Sequence, residues 1–165
     1  MAKDNSFDIV STTDMQEVEN AYNNAAKALK QRYDLKDSGA KLEYDKAAGT
    51  ITLTAPSDFT AEQVKDVFTT QLVRRKVDLA SVSWGAPQDA SGGMLRILGT
   101  FSQGIDADTA KKINKDIKAQ KFKVKVQIEG DKLRVSGPKR DELQAVIAFL
   151  RDADYGIPLQ FENYR

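Results

Sequence analysis

The chain has 165 residues, with 25 lysines and arginines against 24 aspartates and glutamates, and 41% of its residues are hydrophobic. This composition is typical of a folded water-soluble protein, and no apolar run approaches the ~20 residues of a membrane span. The absence of cysteine and histidine excludes disulfides, thiolate catalysis, serine–histidine triads and the usual zinc sites. The first ten residues contain no apolar secretory segment, so we expect a cytoplasmic protein.

Periodic apolar residues in the first half predict the element order β-α-β-β-α-β. A capping box at residues 13–16 opens the first helix, and Ser57 or Asp58 caps the second. Residues 47–49 join two alternating runs as a hairpin. The predicted strands cover residues 7–10, 41–45, 50–54 and 79–84, and the predicted helices cover residues 15–33 and 59–72.

The second half repeats this order. Asp106 caps a helix, and Gly130 and Asp131 close a hairpin. The two halves match best where residues 51–56 and 133–138 each run from a strand through a small residue to proline. The predicted strands cover residues 95–101, 121–128, 133–135 and 159–164, and the last helix covers residues 143–150.

This repeated order predicts an α+β fold made of two tandem ferredoxin-like, or RNP-like, βαββαβ units. In each unit a four-stranded antiparallel sheet carries two helices on one face and leaves the other face open. The glycine-containing segment 85–93 is the expected linker, giving domains at residues 1–88 and 89–165. Exchange of a terminal strand between the halves stays open at this point.

Charge is distributed unevenly along the chain. Residues 1–85 hold 11 basic and 13 acidic residues, whereas residues 86–165 hold 14 and 11. In the second hairpin, strand alternation places four cations on the open sheet face, namely Lys123, Lys125, Lys132 and Arg134. Because like charges on adjacent strands repel, we expect either a phosphate-bearing ligand there or a counter-charge from Glu162 or Asp131. Surface charges contribute little to stability, so replacing Lys132 and Arg134 is expected to leave the melting temperature nearly unchanged.

Several other sequence features are explained by folding or solubility without a bound ligand. Lys111, Lys115 and Lys118 lie on the outer side of a helix and are expected to form a solvated face. Trp84, the only tryptophan, either stacks on a base or covers the junction between the halves. The open sheet faces lack the aromatic residues with which RNA-recognition domains stack bases, and no phosphate-loop spacing occurs. The paired aspartates of the chain are assigned no metal.

Six blocks in order resemble the bacterial YajQ family over nearly the whole chain. They are SFDIVS (residues 6–11), RYDLKDS (32–38), ASGG (90–93), QGID (103–106), GDKLRVSGPKRDELQAVI (130–147) and DYGIPLQFENYR (154–165). The resemblance implies tandem ribonucleoprotein-like domains and a nucleotide-binding protein, whose members are described as cyclic di-GMP receptors and to which tRNA binding is also attributed. The family's usual RYDFKG is RYDLKD here, and the added carboxylate of Asp37 is expected to weaken anion binding if that loop contacts ligand.

The leading hypothesis is therefore a cytoplasmic, non-enzymatic effector without cofactor or metal. It binds a nucleotide, cyclic di-GMP first and GTP or ATP as other ligands, and signals through a protein partner such as a transcription regulator. The alternative is an RNA or tRNA-binding module that uses the basic sheet face. The expected contact residues are Trp84, Arg96, Lys123, Lys125, Lys132 and Arg134.

Overall fold

The computed structural model describes residues 4–165, which contain four helices and two antiparallel sheets. The helices are α1 (Met15–Gln31), α2 (Asp58–Arg74), α3 (Ala107–Ala119) and α4 (Arg140–Arg151). The strands are β1 (Asn5–Val10), β2 (Lys41–Asp45), β3 (Thr50–Ala55), β4 (Val82–Trp84), β5 (Gln88–Asp89), β6 (Leu95–Phe101), β7 (Lys125–Glu129), β8 (Lys132–Gly137) and β9 (Gln160–Glu162). The predicted α+β fold with two βαββαβ units is confirmed. Within the described residues, no helix has the length and apolar character needed to cross a bilayer.

Side-chain caps begin the two helices of the first half. Asp14 accepts hydrogen bonds from the backbone N–H groups of Gln16 and Glu17, at 3.1 and 3.3 Å. The first helix is therefore capped by Asp14, one residue later than a capping box led by Thr13 predicts. Ser57 caps α2 by accepting from the backbone N–H of Thr60 at 3.2 Å.

Each sheet contains one strand from the opposite half of the sequence. The first sheet has the strand order β7-β8-β1-β9, and the second has the order β2-β3-β6-β4, with β5 also paired to β6. The chain accordingly divides into one compact unit of residues 4–12 and 102–165 and another of residues 13–101. These units differ from the expected domains 1–88 and 89–165, because β1 and β6 are exchanged between the sheets.

Both exchanged strands bury their apolar faces in the sheets that they join. In β1, Phe7 and Ile9 are fully buried and lie opposite Val135 and Leu133 of β8. In β6, Ile97 lies opposite Leu53 of β3 and is also buried. The segment expected as a linker is partly ordered through β5, which pairs with β6.

In both units the helices cover one sheet face. The unit of residues 13–101 buries Leu42, Ile51 and Leu53 as predicted, with Tyr44 half-buried. The other unit buries Leu133 and Val135, while Val124 and Val126 are half-buried against the same core. The opposite face of each sheet carries mainly polar side chains, and Leu98 of β6 is an exposed apolar residue there.

Candidate functional site

The four cations expected on the second hairpin lie on one surface. Phe122, Val124 and Val126 pack toward the helical core, so the intervening Lys123 and Lys125 face the opposite side and are exposed. On β8, Lys132 and Arg134 alternate with the buried Leu133 and Val135. We call this surface, made of Lys123, Lys125, Lys132 and Arg134, the basic face.

A buried carboxylate lies beside the basic face. Asp8 stands between Phe7 and Ile9 on β1 and points away from them, directly across from Arg134 on β8. Its side chain is 1% exposed. Arg134 donates from Nε to Oδ1 of Asp8 at 3.0 Å, Asn163 donates to Oδ2 at 2.8 Å, and Lys132 Nζ lies 3.4 Å from Oδ2. Three side chains therefore hold one carboxylate.

These contacts set the ionisation of Asp8. Burial by itself raises the pKa of a carboxyl group, but the hydrogen bonds from Arg134, Asn163 and Lys132 together outweigh it and lower the pKa of Asp8 to about 2. The same pairing raises the pKa of Arg134 further above its usual range. At neutral pH Asp8 is an anion that fixes the positions of two cations.

The counter-charge of the basic face comes from residues that the sequence interpretation missed. Asp8 supplies most of it, and Glu129 adds a second contact, with Oε1 3.6 Å from Nη1 of Arg134. The expectation of Glu162 or Asp131 is wrong for the described residues, in which neither forms an ion pair with these cations. Glu162 instead lies opposite Asp8 in the β1–β9 register. The sequence signal that could have drawn attention to Asp8 is a charged residue between the apolar Phe7 and Ile9 of a predicted strand.

Lys123 and Lys125 differ from the other two cations. Both are exposed, and among residues 4–165 no carboxylate lies within ion-pair distance of either. The basic face therefore combines two cations that are paired with carboxylates and two exposed cations that are not. The register places the polar side chains of Gln127 and Ser136 on the same surface.

Arg96 and Trp84 belong to the other unit, where both line a groove of about 380 Å³ over the outer face of β6. Arg96, Leu98 and Thr100 form its floor, with Ser83 and Gln88 beside them. A volume near 400 Å³ falls in the range of small-molecule sites. We call this cavity the β6 groove.

The indole of Trp84 packs on the helix side of its sheet. Its ring meets Phe68 edge to face, with centroids 6.2 Å apart, and Lys65 Nζ lies 5.2 Å from the ring centroid. The indole therefore packs against α2 within its own unit, and Arg96 is the cation that lines the β6 groove.

The three lysines that were expected to form a solvated helix face are exposed in the structure. Lys111, Lys115 and Lys118 are exposed on α3, whose buried face holds Ile113 and Ile117. Across residues 4–165, no group of three or more acidic side chains is positioned to hold a metal ion.

Comparisons with known proteins agree on one family. The family model described as "Nucleotide-binding protein YajQ-like" matches residues 5–165. The chain is 47% identical over 165 residues to proteins named nucleotide-binding protein from Bacillus cereus (strain AH187), Bacillus anthracis (strain CDC 684 / NRRL 3495) and Bacillus thuringiensis subsp. konkukian (strain 97-27). Each match covers 100% of both chains. The chain therefore belongs to the YajQ-like nucleotide-binding protein family.

Proposed function

We propose that this chain is a cytoplasmic effector that binds cyclic di-GMP on the basic face. The observation that carries the proposal is the pair of exposed lysines, Lys123 and Lys125, beside the fixed cations Lys132 and Arg134. Relatives named nucleotide-binding protein, 47% identical over the full length, support a nucleotide as the ligand class.

The chemistry of the face suits a ligand with two phosphodiesters. Each lysine ammonium offers three donors to phosphate oxygens, and Asp8 already occupies Nε of Arg134. We therefore assign the main phosphate contacts to Lys123 and Lys125. Gln127 and Ser136 offer amide and hydroxyl groups to the edges of a guanine.

The proposal is tested with a double variant, Lys123→Ser with Lys125→Ser, titrated by calorimetry against cyclic di-GMP, GTP and ATP. We expect affinity for cyclic di-GMP to fall about tenfold or more, because each lost charge-assisted contact costs ~1.5–3 kcal/mol. The matched control replaces Lys111 and Lys115, which are also exposed but lie on α3, and should bind as the wild type does. If instead Arg96→Ser abolishes binding and the Lys123/Lys125 variant binds normally, the ligand lies in the β6 groove and the proposed placement is wrong.

Salt dependence separates the proposal from RNA or tRNA binding. Affinity for a single-stranded RNA falls with a log–log slope of ~0.7 per phosphate contacted, so a long footprint gives a steep slope. A ligand with two phosphates gives a shallow one. An RNA that binds more tightly than cyclic di-GMP, with a steep slope reduced by the Lys111/Lys115 variant, would favour the RNA-binding alternative.

Signalling through a protein partner such as a transcription regulator is part of the proposal and rests on the family resemblance. We expect the affinity of the partner for the wild-type chain to change when cyclic di-GMP is added. The Lys123/Lys125 variant should lose this difference while keeping the fold. A partner that binds both proteins equally, whatever the ligand concentration, would contradict a ligand-controlled effector.

A further inference from the structure

A concave surface in the unit of residues 13–101 collects three lysines around an apolar floor. Its volume is about 240 Å³. The floor comes from α1 and β2 and includes the buried Leu29 and Leu42 beside the half-buried Tyr22. We call it the lysine groove; the residues that define it are Tyr22, Leu29, Leu42, Lys30, Lys36 and Lys41.

The three lysines come from three separate segments: the end of α1, the turn after it, and the start of β2. Lys30 lies in the last turn of α1, where the helix dipole favours a cation without any ligand. Lys36 and Lys41 have no such explanation. Lys41 contacts Glu43 at 3.1 Å, whereas Lys36, among residues 4–165, has no carboxylate within ion-pair distance. The rim therefore carries more positive than negative charge.

The turn that carries Lys36 is fixed by its own hydrogen bonds. The backbone N–H of Lys36 donates to the carbonyl of Arg32 at 2.8 Å, and the hydroxyl of Ser38 donates to the carbonyl of Leu35 at 2.7 Å. Leu35 is 1% exposed and anchors the turn in the core. The ammonium of Lys36 also lies 4.6 Å from the ring centroid of Tyr33. A preformed turn lowers the ordering cost of binding at this rim.

The floor is also held in place. The hydroxyl of Tyr22 donates to the carbonyl of Leu42 at 3.3 Å, and the ring of Tyr22 lies 5.7 Å from that of Tyr44. An apolar floor under a cationic rim matches a ligand with a flat, weakly polar body and an anionic end. The volume of the groove lies below the ~300–1,000 Å³ of typical small-molecule sites, so it holds at most one nucleoside and is too small for two guanosines.

We propose that the lysine groove is a second binding site, which takes a nucleoside monophosphate with its base on the apolar floor and its phosphate between Lys36 and Lys41. The site lies in the unit that does not contain the basic face, so it stands or falls separately from the proposed cyclic di-GMP site.

The test titrates the full chain with AMP and GMP by calorimetry and maps amide shifts by NMR. At least one mononucleotide should bind and shift the amides of residues 36–42. The double variant Lys36→Ser with Lys41→Ser should weaken binding about tenfold or more. Lys46→Ser, which replaces an exposed lysine on the β2–β3 turn, should bind the mononucleotide as the wild type does.

Two further measurements sharpen the result. Adenosine or guanosine alone and inorganic phosphate alone should each bind at least about tenfold more weakly than the mononucleotide, since each uses only half of the groove. Asp37→Asn removes the carboxylate next to Lys36 and should strengthen binding. The proposal is overturned if neither mononucleotide binds, if the Lys36/Lys41 variant keeps full affinity, or if a nucleoside without phosphate binds equally well.

Discussion

Arg134 on β8 donates from Nε to Oδ1 of Asp8 on β1 across 3.0 Å, and the two residues are 126 positions apart in the sequence. The contact exists because β1 is inserted between β8 and β9, where Asp8 comes directly opposite Arg134. One hydrogen-bonded ion pair therefore links the strand exchange to the electrostatics of the basic face.

The first prediction concerns Asp8→Asn. The pKa of Asp8 is lowered from 3.8 to about 2 in the folded chain, so the unfolded chain binds a proton more readily. The stabilisation is present above pH ~4 and is lost as the pH falls through 2; a shift of this size corresponds to about 2 kcal/mol. We expect Asp8→Asn to lower the free energy of unfolding by about 2 kcal/mol at pH 7, measured by urea denaturation.

The pH dependence supplies the check on that prediction. Between pH 4 and pH 2 the wild type should lose stability more steeply than Asp8→Asn. The control Asp89→Asn changes an exposed carboxylate on β5 and should follow the wild type. Parallel curves for the wild type and Asp8→Asn would show that Asp8 is not the source of the acid sensitivity.

The second prediction concerns Lys132→Ser combined with Arg134→Ser. The sequence alone leads to the expectation of a nearly unchanged melting temperature, but the structure places a buried carboxylate against both cations. Removing them leaves Asp8 with Asn163 as its remaining partner among these contacts. Removing the partners of a buried charge costs about 3–5 kcal/mol, so we expect the melting temperature to fall by several degrees or more.

A double-mutant cycle tests the cause of that loss. Adding Asp8→Asn to the Lys132/Arg134 variant should restore part of the stability, because the buried charge is removed. The Lys123/Lys125 variant serves as the matched control and should melt as the wild type does. If the triple variant is instead less stable than the Lys132/Arg134 variant by the full cost of Asp8→Asn alone, the three side chains do not act as one cluster.

The contrast between these two pairs of cations shows how far the sequence could predict the site. Strand alternation was sufficient to place Lys132 and Arg134 on the face of β8 that points away from Leu133 and Val135, because this pattern is local. The partner of β8 is not a local property: Phe7 and Ile9 of β1 fit an apolar core in either sheet. Without the exchanged strand, Asp8 had no predictable neighbour and the counter-charge was sought elsewhere.

The third prediction is that the chain does not turn over nucleotides. The sequence contains no histidine or cysteine, which supply the most common proton-transfer and nucleophilic groups near neutral pH. We expect cyclic di-GMP, GTP and ATP to remain unchanged beyond the buffer control when followed by chromatography. Product that increases with protein concentration and disappears after a single carboxylate substitution would establish an enzyme instead.

The last prediction concerns Gly99→Ala on β6. Gly99 lies opposite both Ile51 and Trp84, and a Cβ added there would come within 2.8 Å of Cγ2 of Ile51 and 2.9 Å of Cζ3 of Trp84. Ile51 is fully buried, and the Trp84 ring meets Phe68 on the same side of the sheet, so neither side chain can move without disturbing the core. Overpacking of this kind costs about 1–3 kcal/mol, and we expect a lower urea midpoint with an altered Trp84 fluorescence. Gly85→Ala is the control, because its Cβ would meet the carbonyl of Leu98 at an ordinary 3.5 Å. A Gly99→Ala midpoint equal to that of Gly85→Ala would mean that the core beneath β6 has room for the added methyl group.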